Sequence, residues 1–397
     1  PVRLRPAPAL TRGALDAAGW GWLYAAADPA AAYLAGELVV VTEAEAEALY
    51  LAGNELYAMV VEAAAAVIEG DRLDEVGIPE RLHALVRHTW DDDRHWHLYG
   101  RFDLAGGIGG QPVRLIEFNA DTATSLPETA VLQWAQARAA GLADGAPVNA
   151  LYERLVEQFG RLRAANDDLE PRLLCTGFPD APEDDANLVV VGAAAEAAGF
   201  SVTYRPIPDV HFAPGEGVFT RGPDGPGTDG GWVRHDFVFK LVPWELLALE
   251  EPAFCDVLAE LVMAREVVVV NPAYALVFQS KRLLKVLWEL FEGHPLLLEA
   301  ADHPLPGRRC VEKVAFGREG ANVTLYGPDG GVLHRTGGDY DVFPAVYQAW
   351  ADLPHDAEGR LYQTGLFWAF EACAVGFRRG GLVLDDTSAF VGHLVEP

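Results

Sequence analysis

The spacing of apolar residues changes twice along the chain. Through residues 12–98 apolar positions recur mainly at helical intervals, so this segment is expected to be mostly helical. Thr42-x-x-Glu45 reads as a capping box that opens a long alanine-rich helix stopping near Gly70. Between residues 99 and 128 the period falls to two. YGRFDLAGGIGGQPVRLIEFNADTATSLPE predicts two short strands joined by a glycine-rich turn, with Phe102, Leu104, Leu115, Ile116 and Phe118 on the buried side. A helix then starts, with Ser125-Leu126-Pro127-Glu128 as its capping box. From residue 171 strand and helix alternate: PRLLCTGF reads as a buried strand, NLVVVGAAAEAAGF as a helix ending at Gly199, and SVTYRPI as the next strand. This is an α/β unit. The Gly-, Pro- and Asp-rich stretch 213–231 reads as a surface loop before HDFVFKLVPWELL resumes as strand and turn. In QSKRLLKVLWELF, Ser280 is expected to cap a helix whose first residue is Lys281. VEKVAFGREGANV places Lys313 on a strand ahead of the glycine-bounded loop Gly317-Arg318-Glu319-Gly320.

The two strands around the glycine turn carry the chemistry. Arg101 and Asp103 lie two apart, as do Glu117 and Asn119, so each pair occupies one face of its strand. An antiparallel register centred on Gly110 pairs 101 with 119 and 103 with 117, and all four side chains then share a face. Two opposed carboxylates repel unless a cation lies between them. Two carboxylates and an amide oxygen form a hard-oxygen set suited to Mg²⁺, with an arginine beside it for phosphate. The following helix N-terminus, with Thr122, Thr124 and Ser125, favours an anionic group nearby. Lys281, Lys313 and the basic glycine loop supply the remaining pieces of a phosphate site. HTWDDDRHWH, residues 88–97, also invites a metal reading through His88, His95 and His97. It lacks a tight i, i+4 carboxylate pattern, and a solvated loop leading to a strand at Leu98 is the expectation.

Composition narrows the function. A formal net charge of −28 argues against nucleic acid as a partner, because a phosphate backbone needs a basic surface. No run of about 18 uninterrupted apolar residues occurs, so no membrane span is expected. The N-terminal PVRLRPAP has no signal-peptide core and reads as a mature terminus. Cys175, Cys255, Cys310 and Cys373 show no C-x-x-C spacing, which fits buried thiols in a reducing cytoplasm. There is no Walker motif, and Gly107-Ile108-Gly109-Gly110 opens no helix.

GRFD, LIEFNADTATSLPE, VFKLVPWE, SKRLLKVLWELF, EKVAFGREGANV and VYQAW, followed by arginine-bearing strands at the end, resemble the synthetase domain of glutathionylspermidine synthases and their stand-alone relatives. The resemblance runs from about residue 85 to near the C-terminus. It implies an ATP-grasp-like α/β (α+β) ligase with antiparallel sheets, a small α/β subdomain and a helical N-terminal segment. It divides the chain into that segment (1–98), a metal-binding hairpin with its following helix (99–145), a substrate-side α/β part (146–265) and a nucleotide-binding part (266–397), all one catalytic unit without an amidase domain.

By this resemblance Arg101 contacts the transferring phosphoryl group, and Asp103, Glu117 and Asn119 bind one or two Mg²⁺ ions. Lys281 and Lys313 hold the ATP phosphates, and Gly317, Arg318, Glu319 and Gly320 close over the nucleotide. Gln348 and Trp350 line the adenine pocket, and Arg378 is a second phosphate clamp. Thr122, Thr124, Glu183 and Asp184 fall where the acid substrate is held. The implied reaction joins a glutathione- or peptide-like carboxylate to a polyamine-like amine through an acyl phosphate. A threonine of the family pattern after Lys240 is Leu241 here, which bears on substrate choice. Two other readings stay open, a non-catalytic nucleotide-binding module acting through a protein partner and a kinase-like phosphotransferase.

Overall fold

The computed structural model describes every residue except 9, 12, 14–33, 144, 223–230 and 385–387. The period-two segment forms strands β3 (Gly100–Ala105) and β4 (Arg114–Asn119) at one edge of a seven-stranded sheet. Its order is β1-β2-β19-β18-β17-β3-β4, with β1 at Arg3–Pro6, β2 at Leu34–Thr42, β17 at Leu361–Ala369, β18 at Glu371–Gly380 and β19 at Ala389–Glu396. β2 runs parallel to β19, so residues near both ends of the sequence share one sheet.

β1 and β2 correct the mainly helical expectation for the N-terminal segment. Leu38-Val39-Val40-Val41 are all buried, and β-branched residues covered on both faces favour a central strand over a helix. Part of the segment, residues 14–33, lies outside the described residues. Helix α1 (Glu43–Glu69) forms as expected, with the reciprocal Thr42–Glu45 capping box in place. It is long and apolar enough to cross a membrane, yet Leu49, Leu56, Val60, Ala63 and Val67 pack in the core. Helix α2 (His83–Asp91) follows.

A second sheet, β11-β10-β5-β6, is parallel throughout and matches the predicted α/β unit. Its strands are β5 (Arg172–Thr176), β6 (Ser201–Tyr204), β10 (Phe237–Lys240) and β11 (Val268–Val270). Between β5 and β6 runs a helix at Pro182–Ala197 with Glu183, Asp184 and Asp185 in its first turn. The stretch read as a loop at 213–231 instead contributes to a three-stranded antiparallel sheet of β7 (Val210–Ala213), β8 (Gly217–Arg221) and β9 (Trp232–His235). Short strands of four or five residues hide easily between turn residues, and residues 223–230 lie outside the described set. After β10 the chain forms helices Trp244–Glu250 and Pro252–Met263.

The third sheet, β12-β16-β13-β14-β15, is antiparallel, with β12 at Ala300–Ala301, β14 at Thr324–Tyr326 and β15 at Val332–Arg335. Within it, β13 (Cys310–Val314) carries Lys313 and β16 (Ala345–Ala349) carries Gln348. The helix after Ser280 begins at Leu283, two residues later than expected. Ser280 Oγ accepts from Arg282 N (3.2 Å) but donates to Val76 O (2.6 Å), so Lys281 lies in the preceding turn. All four cysteines are buried and unpaired.

Candidate active site

The hairpin adopts the anticipated register over its functional half: Arg101 faces Asn119, and Asp103 faces Glu117. A β-bulge between Asp103 and Leu104 then shifts the pairing, so the symmetry about Gly110 is not kept. The shift corrects one core assignment. Phe102 and Phe118 stack at 3.9 Å behind the site, whereas Ile116 turns to the cavity and offers its carbonyl to Lys313 Nζ (2.9 Å). Next to β3, Gly365 sits opposite Asp103, where a Cβ would lie 3.3 Å from Arg101 Cδ; the missing side chain lets Arg101 lie over β17.

The opposed carboxylates are balanced by protein cations. Arg101 donates from Nε to Asp103 Oδ1 (2.7 Å), from NH2 to Oδ2 (3.1 Å), and from NH1 to Thr124 O (2.9 Å). Asn119 Nδ2 also donates to Asp103 Oδ2 (3.1 Å), so Oδ1 is the atom Asn119 would offer to a cation. Glu117 Oε2 lies 3.3 Å from Lys281 Nζ, which donates to Gly317 O at 2.7 Å. Burial acts to raise the Glu117 carboxyl, but Lys281 and Lys313 outweigh it and hold it below the usual carboxylate range. Burial pushes Lys313 down to about 8, against the opposing pull of Glu117. Gln348 bridges Lys313 (2.8 Å) to Leu115 O (2.9 Å), so this buried amide positions the lysine. Trp350 is half-buried and donates its indole N–H to Asp352 (2.8 Å).

A second wall is built from buried ions. Lys240 Nζ meets Asp121 Oδ1 at 3.1 Å and Val242 O at 3.0 Å, while Trp244 N donates to Asp121 Oδ2 at 3.0 Å. These side chains are 2% and 0% exposed, so the salt bridge is shielded from solvent. Arg318 donates to the fully buried Glu245 (2.6 Å) and to Thr122 Oγ1 (3.0 Å), tying the glycine loop to the segment after β4. The expected Ser125 capping box does not form. Ser125 has φ 71°, Leu126 N is instead capped by Asn187 Oδ1 (3.0 Å), and the first turn at Pro127–Leu132 is π-helical. Anchoring of Asp121 by Lys240, Trp244 and Gln279 fixes the approach to this turn. Glu319, in the loop, also has positive φ (51°), and such strained positions concentrate at functional sites.

The two walls enclose one cavity of about 690 Å³. Arg101, Asp103, Glu117, Asn119, Thr122, Thr124, Glu183, Asp184, Lys281, Lys313, Gly317, Arg318, Glu319, Gly320, Gln348, Trp350 and Arg378 all line it. Five cations, Arg101, Lys281, Lys313, Arg318 and Arg378, thus line it together with six carboxylates, Asp103, Glu117, Glu128, Glu183, Asp184 and Glu319. Apolar Leu298, Val311, Leu325 and Leu353 give the same cavity a surface suited to a planar ring. Burial and then the neighbouring Asp185 and Glu183 raise Asp184 above the usual carboxylate range.

Sequence reasoning missed Gln279, Asn187, Glu245, and the pairing of Asp121 with Lys240. Lys240 followed a run of buried strand residues, and a lysine inside such a run is the signal that a buried acid must answer it.

The fold and site define an ATP-grasp-like α/β fold. A solved glutathione synthetase-like effector from Globodera pallida superposes with a TM-score of 0.57 at 10% identity, covering 90% of this chain and 89% of that one. The family described as glutathionylspermidine synthase preATP-grasp matches residues 5–396, and the chain belongs to that family. It is 29% identical to a Haemophilus influenzae protein whose name assigns it provisionally to the acid–amine ligases, over 79% of this chain and 78% of that one. It is 25% identical to the Escherichia coli bifunctional glutathionylspermidine synthetase/amidase over 79% of this chain and 50% of that one. A Crithidia fasciculata glutathionylspermidine synthase matches at 25% over 64% of this chain and 37% of its own length. The chain therefore spans half or less of those glutathionylspermidine synthases and about four-fifths of the Haemophilus protein. Its relatives are ligases.

Proposed function

We propose that the protein is an ATP-dependent acid–amine ligase that forms an amide through an acyl phosphate. The observation carrying this reading is the pairing of Asp103 with Arg101 and of Glu117 with Lys281, beside Lys313, on one wall of a cavity that Arg378 also lines. Such a concentration of cations beside two paired carboxylates suits a polyphosphate with its counter-cation. The paired carboxylates and the Asn119 amide oxygen fit Mg²⁺, which when bound would neutralise charge on the ATP phosphates.

Lys281 and Lys313 would orient the phosphates, with Gln348 holding Lys313 in place. Arg101 and Arg378 would stabilise the γ-phosphoryl group as a substrate carboxylate oxygen attacks phosphorus and the bond to the bridging oxygen of ADP breaks. A neutral amine then attacks the acyl carbon, phosphate leaves, and Asp184 or Glu183 accepts the amine proton. The raised Asp184 carboxyl suits that role. Acidic Glu128, Glu183, Asp184 and Glu319 along the same cavity favour a cationic, polyamine-like amine, and Thr122 and Thr124 offer polar contacts to a peptide-like acid. Arg318, clamped between Glu245 and Thr122, would hold the 317–320 loop over the intermediate and exclude water.

The test is phosphate release from Mg·ATP across a matrix of carboxylates and amines, with mass spectrometry of products. The expected result is release that requires both partners and a product lighter than their sum by one water. Phosphorylation of the acid with no amine consumed would overturn the amide-forming step, and release indifferent to both partners would overturn the ligase reading.

A further inference from the structure

We propose that His88, Asp92 and His95 form a second metal site, outside the cavity lining and suited to a divalent transition cation such as Zn²⁺. The expected solvated loop is present only in part: residues 92–97 form a loop with Asp93 exposed, but 88–91 are helical and His95 and His97 are buried. His88 lies in the last turn of α2, Asp92 N donates to His88 O (3.1 Å), and His95 N donates to Asp92 O (3.0 Å). Two consecutive turns thereby bring one donor atom from each side chain within 4.8 Å of the others.

The second observation is the state of His95. It is 6% exposed, and neither Nδ1 nor Nε2 has a hydrogen-bond partner; His88 Nε2 is likewise buried without one. A buried imidazole normally satisfies both nitrogens. His97, two residues on, does so, through Tyr57 Oη (3.1 Å) and Ala120 O (3.0 Å), and so does not join the site. Among the described residues, His95 is the histidine with both ring nitrogens buried and unpartnered.

Two imidazoles and a carboxylate are borderline donors that select Zn²⁺, Co²⁺ or Ni²⁺ over Mg²⁺, with room left for water. Asp92 is already oriented, accepting from Arg94 N at Oδ1 (3.2 Å) and from Arg265 Nε at Oδ2 (2.9 Å). The Arg265 guanidinium competes with a cation for that carboxylate and weakens the site. Metal bonds of about 2.0–2.2 Å require the donors to close together. His88, with 26% of its side chain exposed and Nε2 3.8 Å from Asp92 Oδ2, can supply that movement. None of the three residues lines the cavity. They lie where α2 hands over to the lead-in of β3, which Tyr274 also holds through His97 N (2.8 Å). The metal would clamp that lead-in, a structural role.

The test is zinc titration of the chelator-treated full chain against a chromogenic indicator, in excess Mg²⁺ so that the cavity's hard-oxygen set does not compete. One Zn²⁺ per chain is expected, with affinity falling at least about tenfold in both His88→Asn and His95→Asn. Zinc should also raise the melting temperature of the wild type and not of His88→Asn, a change at a partly exposed residue that keeps the test usable if His95→Asn does not fold. Absence of binding at micromolar zinc, or unchanged affinity in His88→Asn and Asp92→Asn, would overturn the proposal.

Discussion

The cavity's two ionic walls solve opposite problems. On the β3–β4 face, Asp103 and Glu117 are held by Arg101, Asn119 and Lys281, all of which border the cavity and can exchange partners with an incoming ligand. On the other wall, Asp121 with Lys240 is sealed among buried groups, and Glu245, like Asp121 0% exposed, is held by Arg318 from the cavity's edge. Charges that must act stay within reach of ligand. Acids that shape the wall are paired out of solvent, where loss of the partner strands them.

The largest effect that would break this contrast is on Arg101. Arg101→Ala is expected to lower turnover by about 10³-fold or more, the scale of an arginine acting on a transferring phosphoryl group. Its melting temperature should fall only modestly, because Asp103, though 7% exposed, keeps Asn119 as a donor and borders a cavity from which water can replace the guanidinium. Wild-type rates in this variant would remove Arg101 from the mechanism.

Asp121→Ala should behave in the reverse manner. Removing one member of a buried pair costs about 3–5 kcal/mol, so denaturant midpoints should fall steeply. Asp121→Ala combined with Lys240→Met should cost less than the two single changes summed, because no charge is left stranded. Additive losses would show that the pair is not coupled.

The same contrast explains what the sequence disclosed. Arg101, Asp103, Glu117 and Asn119 were legible because two-residue spacing and one antiparallel register are local rules, and β3–β4 obeys them up to its bulge. The capping box at Thr42 was legible for the same reason. Asp121–Lys240 joins residues 119 apart, and Arg318–Glu245 residues 73 apart, through contacts that no local period encodes. At Ser125 the local capping signal was present, yet Asn187 from a distant helix took its place. The cluster at His88, Asp92 and His95 lay in view but was read as solvated, because burial of His95 depends on tertiary packing.

A smaller effect sharpens the ligand-facing wall. Asp103→Asn keeps the shape but removes one charge from the proposed cation set, so the Mg²⁺ concentration for half-maximal activity should rise about tenfold or more. An unchanged Mg²⁺ titration would remove Asp103 from metal binding.

Lys313 adds a pH test. Its ammonium is needed for phosphate, and burial brings its folded value down to about 8. As pH rises through that value the charge is lost, so kcat/KM for ATP should fall towards a tenfold loss per pH unit above about 8. Stability should move the other way. Between about 8 and the ordinary lysine range the unfolded chain binds the proton that the folded chain has released, so this group makes the folded state more stable as pH rises. A flat activity profile to pH 9.5 would mean that Lys313 does not carry phosphate charge in the rate-limiting complex.

The smallest expected effect concerns substrate choice. Leu241 follows Lys240, lines the cavity and is 5% exposed, with its amide held by Thr176 O at 2.9 Å. Its backbone is fixed, so Leu241→Thr changes what the wall presents more than where it lies. Removing apolar volume penalises an acid with an aliphatic group there, while a new hydroxyl helps one that brings a polar atom. The ratio of kcat/KM for glutathione to that for an aliphatic peptide should therefore rise by about tenfold at most, with the ATP parameters unchanged. If the ratio stays fixed while both values fall together, Leu241 only packs the wall, and acid selection must come from Thr122, Thr124 and the loop that Arg318 holds.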